Sequence, residues 1–222
     1  MTYGAAGLDP SFARYFLDPR EEVVELVPRQ ADRVLDIGCG GGAVGRVLKQ
    51  RGTPVVVGIE RCHEAADVAR QNLDEVIEAD VEALELPFRA GSFDCIVLAD
   101  VLEHLRDPWS LLTRLQPYLA DDGTVVASIP NVGHYPIILG LVRHRWRYTP
   151  EGVLDRTHLR FFTLETIRDM FTRSGFHIVH VGGTVIANAW ISGANRRSRG
   201  LLGRILREYL YEQYLITAIK VR

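Results

Sequence analysis

Val34-Leu-Asp-Ile-Gly-Cys-Gly-Gly-Gly-Ala-Val-Gly45 runs from an apolar stretch holding one acid into a knot of glycines. Apolar residues at Val44, Val47 and Leu48 then follow helical spacing. This pattern predicts a strand, a tight turn and a helix start. Glycine permits positive φ in such a turn and lets a ligand approach the backbone without meeting a Cβ. The helix N-terminus adds free N–H groups and a partial positive charge. Gly38-x-Gly40-x-x-Ala43 also fits the dinucleotide fingerprint. Asp36 weighs against that match. Two residues before Gly38, its carboxylate faces the ligand side of the turn, where it would repel a pyrophosphate and welcome an ammonium group.

Working outward, 222 residues fit one α/β domain with an elaboration. A hydrophobic content of 47% supports a substantial core, and a net charge of −2 supplies no basic field to gather nucleic acid. Cys39, Cys62 and Cys95 show neither paired nor C-x-x-C spacing. That fits a reducing compartment and argues against a disulfide framework or a thiolate zinc site. The first residues lack the basic-then-apolar pattern of a signal peptide, and no apolar run approaches the length of a membrane span. A cytoplasmic protein without a nucleic-acid or membrane partner is expected, as a monomer or homodimer.

Acids recur at predicted strand ends. Glu60 closes the second strand, 22 residues beyond Gly38, where a carboxylate can accept from both ribose hydroxyls. Dehydrogenases use the same device. Asp80 follows a short third strand over 76–79, and could serve as a helix cap as well as a ligand group. Phe88-Arg-Ala-Gly-Ser-Phe-Asp-Cys-Ile-Val-Leu-Ala-Asp-Val-Leu-Glu-His-Leu105 then carries a buried-type strand into Asp100, Glu103 and His104. Leu111, Leu112, Leu115 and Leu119 mark a helix over 108–119, and Asp121-Asp-Gly123 precedes a fifth strand over 124–129. Repetition of strand, helix, strand implies a mostly parallel sheet with helices on both faces.

The glycine turn with Asp36 and the Phe93-Asp…Leu-Glu-His-Leu105 segment resemble the class I S-adenosylmethionine (SAM)-dependent methyltransferases. The resemblance implies an α/β, Rossmann-like, doubly wound sheet of seven strands. The sheet is mostly parallel, with the last strand antiparallel between the fifth and sixth. It implies SAM as cofactor, held by Asp36, Gly38, Cys39, Gly40, Glu60, Arg61, Asp80, Val81 and Ala99, with Asp80 accepting from the adenine amino group. The Pro-Pro-aromatic motif of nucleic-acid amino-methyltransferases is missing.

Past the fifth strand the chain reads Pro130-Asn-Val-Gly-His134, an apolar run, His144-Arg-Trp-Arg-Tyr148 and Gly152-Val-Leu-Asp-Arg-Thr-His-Leu-Arg-Phe-Phe-Thr163. These motifs resemble the substrate-side element of a bacterial subgroup of that family acting on small molecules. A single domain over 1–222 is expected, with a helical cap over 1–30, an insertion over 130–162 and a helical elaboration over 188–214. A base with a near-neutral pKa suits removal of a hydroxyl proton, which points to histidine. His104 and His158 are the leading candidates, with His134 and Asp155 beside them. Alternatively, Asp100, Glu103, His104, Asp155 and His158 could hold a divalent metal; a metal-free site is the favoured expectation. Trp146, Tyr148, Phe161 and Phe162 could line a ring pocket or form the insertion's core. Arg156 and Arg160 could clamp an anion, and Arg196, Arg197, Arg199, Arg204 and Arg207 form a basic cluster.

Overall fold

The computed structural model describes residues 16–185 and 208–221. The first half of the helical cap expected over 1–30, most of the helical elaboration expected over 188–214 and the Arg196 to Arg207 cluster lie outside the described residues.

Seven strands form one sheet in the order β3-β2-β1-β4-β5-β7-β6. They are β1 Arg33–Ile37, β2 Val55–Glu60, β3 Glu75–Glu78, β4 Phe93–Ala99, β5 Leu119–Pro130, β6 Phe176–Thr184 and β7 Gln213–Lys220. β1 to β5 pair in parallel, and β7 lies antiparallel to both β5 and β6. The fold is thus the doubly wound sheet expected from the sequence. The helices are α1 Glu21–Val24, α2 Ala43–Gln50, α3 His63–Ala69, α4 Pro108–Leu115, α5 Tyr135–Val142 and α6 Leu164–Arg173.

Continuous apolar runs make the central strands, because both faces are covered. Phe93, Ile96 and Leu98 point into one core with Leu111, Leu112, Ile167 and Phe171. Val34, Val56, Cys95 and Val97 point into a second with Val23, Val44 and Leu48.

Several boundaries moved from expectation. α4 stops at Leu115 and gives way to a 3-10 turn, Gln116–Tyr118, at Pro117, which has no N–H to continue the helix. Asp121-Asp-Gly123 lies inside β5 rather than before it, at a register shift between Phe93 and Cys95 of β4. Gln213 and Tyr214 belong to β7 rather than to a helix. Tyr214 pairs with Ile129 and is buried, and strand pairing outweighs local helical spacing there. Among the described residues no helix is long and apolar enough to cross a membrane.

Candidate active site

The carboxyl ends of β1, β2, β4 and β5 open on a cavity of about 1150 Å3. That exceeds the ~300–1,000 Å3 of most single-ligand pockets, so two molecules can meet in it.

Its floor is the glycine turn. Gly38 and Cys39 donate their N–H groups to the Ile59 carbonyl at 2.8 and 3.2 Å, tying the turn to the end of β2. Gly38 and Gly40 have φ of 67° and 53°. A Cβ on Gly38 would lie 2.8 Å from Val101 Cγ2, and one on Gly40 would lie 2.9 Å from the Phe16 carbonyl oxygen. Both conformation and space therefore require glycine. Glu60 is held rigidly: Oε2 accepts from Gly40 N at 3.0 Å and Oε1 from Cys62 N at 2.8 Å. Each oxygen keeps a lone pair for a ligand hydroxyl.

Asp36 lines the cavity at 1% exposure, and its Oδ2 has no hydrogen-bond partner. Burial, with Glu60 nearby, pushes its carboxyl up to about 7. An unpartnered buried carboxyl is costly, and a cationic ligand group would remove that cost. Arg61, Val81 and Ala99 also line the cavity. Asp80 does not: it is exposed, and its carboxylate accepts from Glu82 N at 2.9 Å in a local turn.

The opposite wall is built by a 3-10 turn, Leu102–His104, and the returning arm of the insertion. The insertion leaves and returns at one point, where Asn131 bridges Phe162 and Val132 N donates to the Phe162 carbonyl. Leu159 N and Arg160 N both donate to the Glu103 carbonyl, at 2.8 and 3.0 Å, which lays His158 over the turn. The His104 and His158 rings meet edge to face, with centroids 4.8 Å apart.

Neighbours fix the tautomers. His158 Nδ1 lies 3.1 Å from the Val153 carbonyl, which only accepts, so Nδ1 carries the proton and Nε2 the lone pair. Thr157 donates its hydroxyl proton to Asp155 Oδ1 at 2.8 Å, so toward His104 Nδ1, at 3.4 Å, it can only accept. Asp155 therefore orients Thr157, and not His158. Burial, helped by the His158 charge, pushes His104 down to about 4, and burial lowers His158 as well.

Glu103 is the residue sequence reasoning undervalued. It is fully buried against the cavity, both carboxyl oxygens lack a partner, and burial pushes its carboxyl up to about 8. In the sequence it stood out only within the Leu-Glu-His-Leu105 segment and as one of five possible metal ligands. Glu103, His104 and His158 each offer a ligand atom within 4.8 Å of the others, so these three could hold a metal. The wider acid and histidine set does not assemble. Asp100 accepts from Ser128 Oγ and Gln213 Nε2, each at 2.9 Å, and pairs with Arg20; Asp155 Oδ1 is taken by Thr157. Arg20, absent from the sequence-level candidates, straps the chain before α1 across the end of β5 through Asp100, Ser128 and Gln213.

His134 is buried at the start of α5 with its ring against Tyr135, and does not line the cavity. Neither do Trp146, Tyr148, Phe161 and Phe162. Phe162 is core, whereas Phe161 packs edge-on to Trp146 with centroids 5.2 Å apart. Arg160 binds the Arg106 carbonyl and lies over the Trp109 ring, away from the cavity.

The profile of a methyltransferase domain family matches residues 11–181. The chain belongs to that family. It is 32% identical over 153 residues to the malonyl-(acyl-carrier protein) O-methyltransferase of Geobacter sulfurreducens, covering 67% of this chain and 57% of that protein. It is 28% identical over 165 residues to a ubiquinone biosynthesis O-methyltransferase of Cereibacter sphaeroides, covering 72% and 66%. The chain spans less than two thirds of the length of these curated relatives. A SAM-dependent methyltransferase from Archaeoglobus fulgidus superposes with a TM-score of 0.66 over 95% of this chain and 98% of that one, at 20% identity. That likeness shows the shared methyltransferase fold.

Proposed function

We propose that this methyltransferase-family chain transfers a methyl group from SAM to an oxygen of a small-molecule acceptor. The observation that carries the reading is Asp36, a buried carboxyl with a free oxygen facing the cavity beside a glycine turn. The residues fit SAM. Asp36 would receive the α-ammonium group, Glu60 the ribose hydroxyls, and Val81 one face of the adenine, while Gly38 and Gly40 leave the backbone open to close approach. Cys39, Arg61 and Ala99 complete the wall. Asp80 reaches the adenine only if its turn with Glu82 opens.

When bound, SAM supplies a methyl group already made electrophilic by its sulfonium. The protein's work is then to position the acceptor and take its proton. Positioning can supply on the order of 7–11 kcal/mol. His158 is the preferred base: its Nε2 lone pair is fixed by the Val153 carbonyl, and it lines the cavity. His104 braces it, and its depressed pKa makes it the weaker base. Oxygen as the acceptor atom is supported by the two relatives, both named as O-methyltransferases.

Calorimetry with SAM and its demethylated product tests the cofactor reading. Binding of both, lost in Asp36→Ala, is expected; failure of the wild-type protein to bind either overturns it. Transfer of labelled methyl into a small-molecule fraction tests the acceptor class, and label only in macromolecules would overturn that part.

A further inference from the structure

Residues 141–150 are exposed without a break, although they include Leu141, Val142, Trp146 and Tyr148. They continue α5, which reads Tyr-Pro-Ile-Ile-Leu-Gly-Leu-Val, carries no charge and buries no residue. A helix apolar on every side normally lies in a core or in lipid. Here Val142 is 72% exposed, and Leu139 and Leu141 are close to half exposed. Directly behind this tip stand Arg143, His144, Arg145 and Arg147, and no acid occurs from 131 to 150. Among the described residues none of the three arginines is in an ion pair. Trp146, which lies between Arg145 and Arg147 in sequence, packs edge to face with Tyr148 and with Phe161.

We propose that α5 and the loop over 143–148 dock on an anionic bilayer surface. The helix tip enters the acyl boundary, Trp146 and Tyr148 sit at headgroup level and the arginines meet the lipid phosphates. Charge complementarity selects the sign of the surface. The chemistry of the tip selects a bilayer over an acidic protein. The exposed residues of α5 are Pro136, Leu139, Leu141 and Val142, and no charged side chain interrupts them, so the helix offers no polar face to leave in water beside a protein groove. Tryptophan and tyrosine beside arginine are the side chains that suit the water–lipid boundary, where an apolar body and a polar tip are both satisfied. The absence of a spanning helix led to the expectation of no membrane partner, but surface docking needs no span. Pro150, Glu151 and Gly152 follow the loop at once and line the cavity, so docking would bring one cavity wall beside the lipid.

Co-sedimentation of the full chain with vesicles tests this. Binding is expected to phosphatidylcholine vesicles containing phosphatidylglycerol, falling as salt is raised, and not to phosphatidylcholine alone. Joint replacement of Arg143, Arg145 and Arg147 by Ser should lower partitioning on the order of a hundredfold. Leu141→Ser with Val142→Ser should abolish it at every salt concentration. Unchanged thermal unfolding of both variants establishes that they fold. Absence of binding to anionic vesicles, or binding indifferent to both variants, overturns the proposal. A concentration-dependent dimer that Val142→Ser abolishes would assign the surface to a second copy and overturn it as well.

Discussion

Glu103 shows how one side chain couples site and stability. Its carboxyl is buried, unpartnered and raised to about 8 from an ordinary value of 4.5. The folded state thus holds a proton that the unfolded chain releases at lower pH. Stability from that proton is fully present below pH 4.5 and is lost as pH rises toward 8. Asp36 acts in the same direction between 3.8 and about 7. His104 acts oppositely: its folded value, near 4, lies below 6.5, so its contribution is complete above 6.5 and lost as pH falls through 4. Above pH 6.5 only the carboxyls still titrate among these three. The unliganded protein is therefore expected to lose stability from pH 6.5 to 8, with a slope of at most ~1.4 kcal/mol per pH unit for each group. Thermal unfolding across that range measures it, and Glu103→Gln should flatten the slope. An unchanged slope would show that Glu103 is ionised in the fold.

Two further predictions belong to single residues. Glu60→Ala removes a charged acceptor pair and should weaken SAM binding by ~10–100-fold, read by calorimetry. His158→Asn should lower kcat by ~10²–10⁴-fold while SAM affinity holds. Because His158 must be neutral to accept a proton and burial lowers its pKa, the acid limb of the wild-type kcat profile should fall below pH 6.5. Loss of SAM binding in His158→Asn would indicate a structural role instead.

At the scale of elements, α6 states its start in its sequence. Thr163 accepts from Thr166 N while the Thr166 hydroxyl takes the Thr163 N–H, a reciprocal cap. Thr163→Ala should cost about 1 kcal/mol, measured by denaturant unfolding. A shift below a few tenths would mean that packing of Ile167, Met170 and Phe171 alone defines the helix. Other boundaries were not written locally. Ala65, Ala66, Ala69 and Leu73 keep helical spacing, yet α3 ends at Ala69. Asp74 is drawn back to β2, where it accepts from Val56 N at 2.7 Å and pairs with Lys49. The extra residues of β5 and β7 likewise come from pairing across the sheet, which no local window contains.

At the scale of the molecule, the sheet gathers segments distant in sequence around one cavity. Phe93, fully buried where β4 meets β5, sits at the centre of the larger core. Phe93→Ala should cost ~3–5 kcal/mol in denaturant unfolding; a loss below 1 kcal/mol would show that the core can collapse around the gap. The sheet and its antiparallel last strand were legible beforehand, and so was the gathering of Asp36, Gly38, Gly40 and Glu60 at the glycine turn, where all four line the cavity. Their chemistry depends on spacing within one strand, turn and helix, and short-range order carries such spacing. The far wall was half legible. His104 and His158 were singled out, but their meeting depends on Glu103's carbonyl holding an arm more than fifty residues away. The unpartnered state of Glu103, the capture of Asp100 by Arg20, and the places of His134 and Asp80 outside the cavity are properties of neighbours. Burial, partner loss and pKa arise only when chain-distant groups exclude water together. Residue order therefore determined the family's fold and its glycine-turn motif. Tertiary packing alone decided which acids stay unpartnered and which ring nitrogen of each histidine keeps its lone pair.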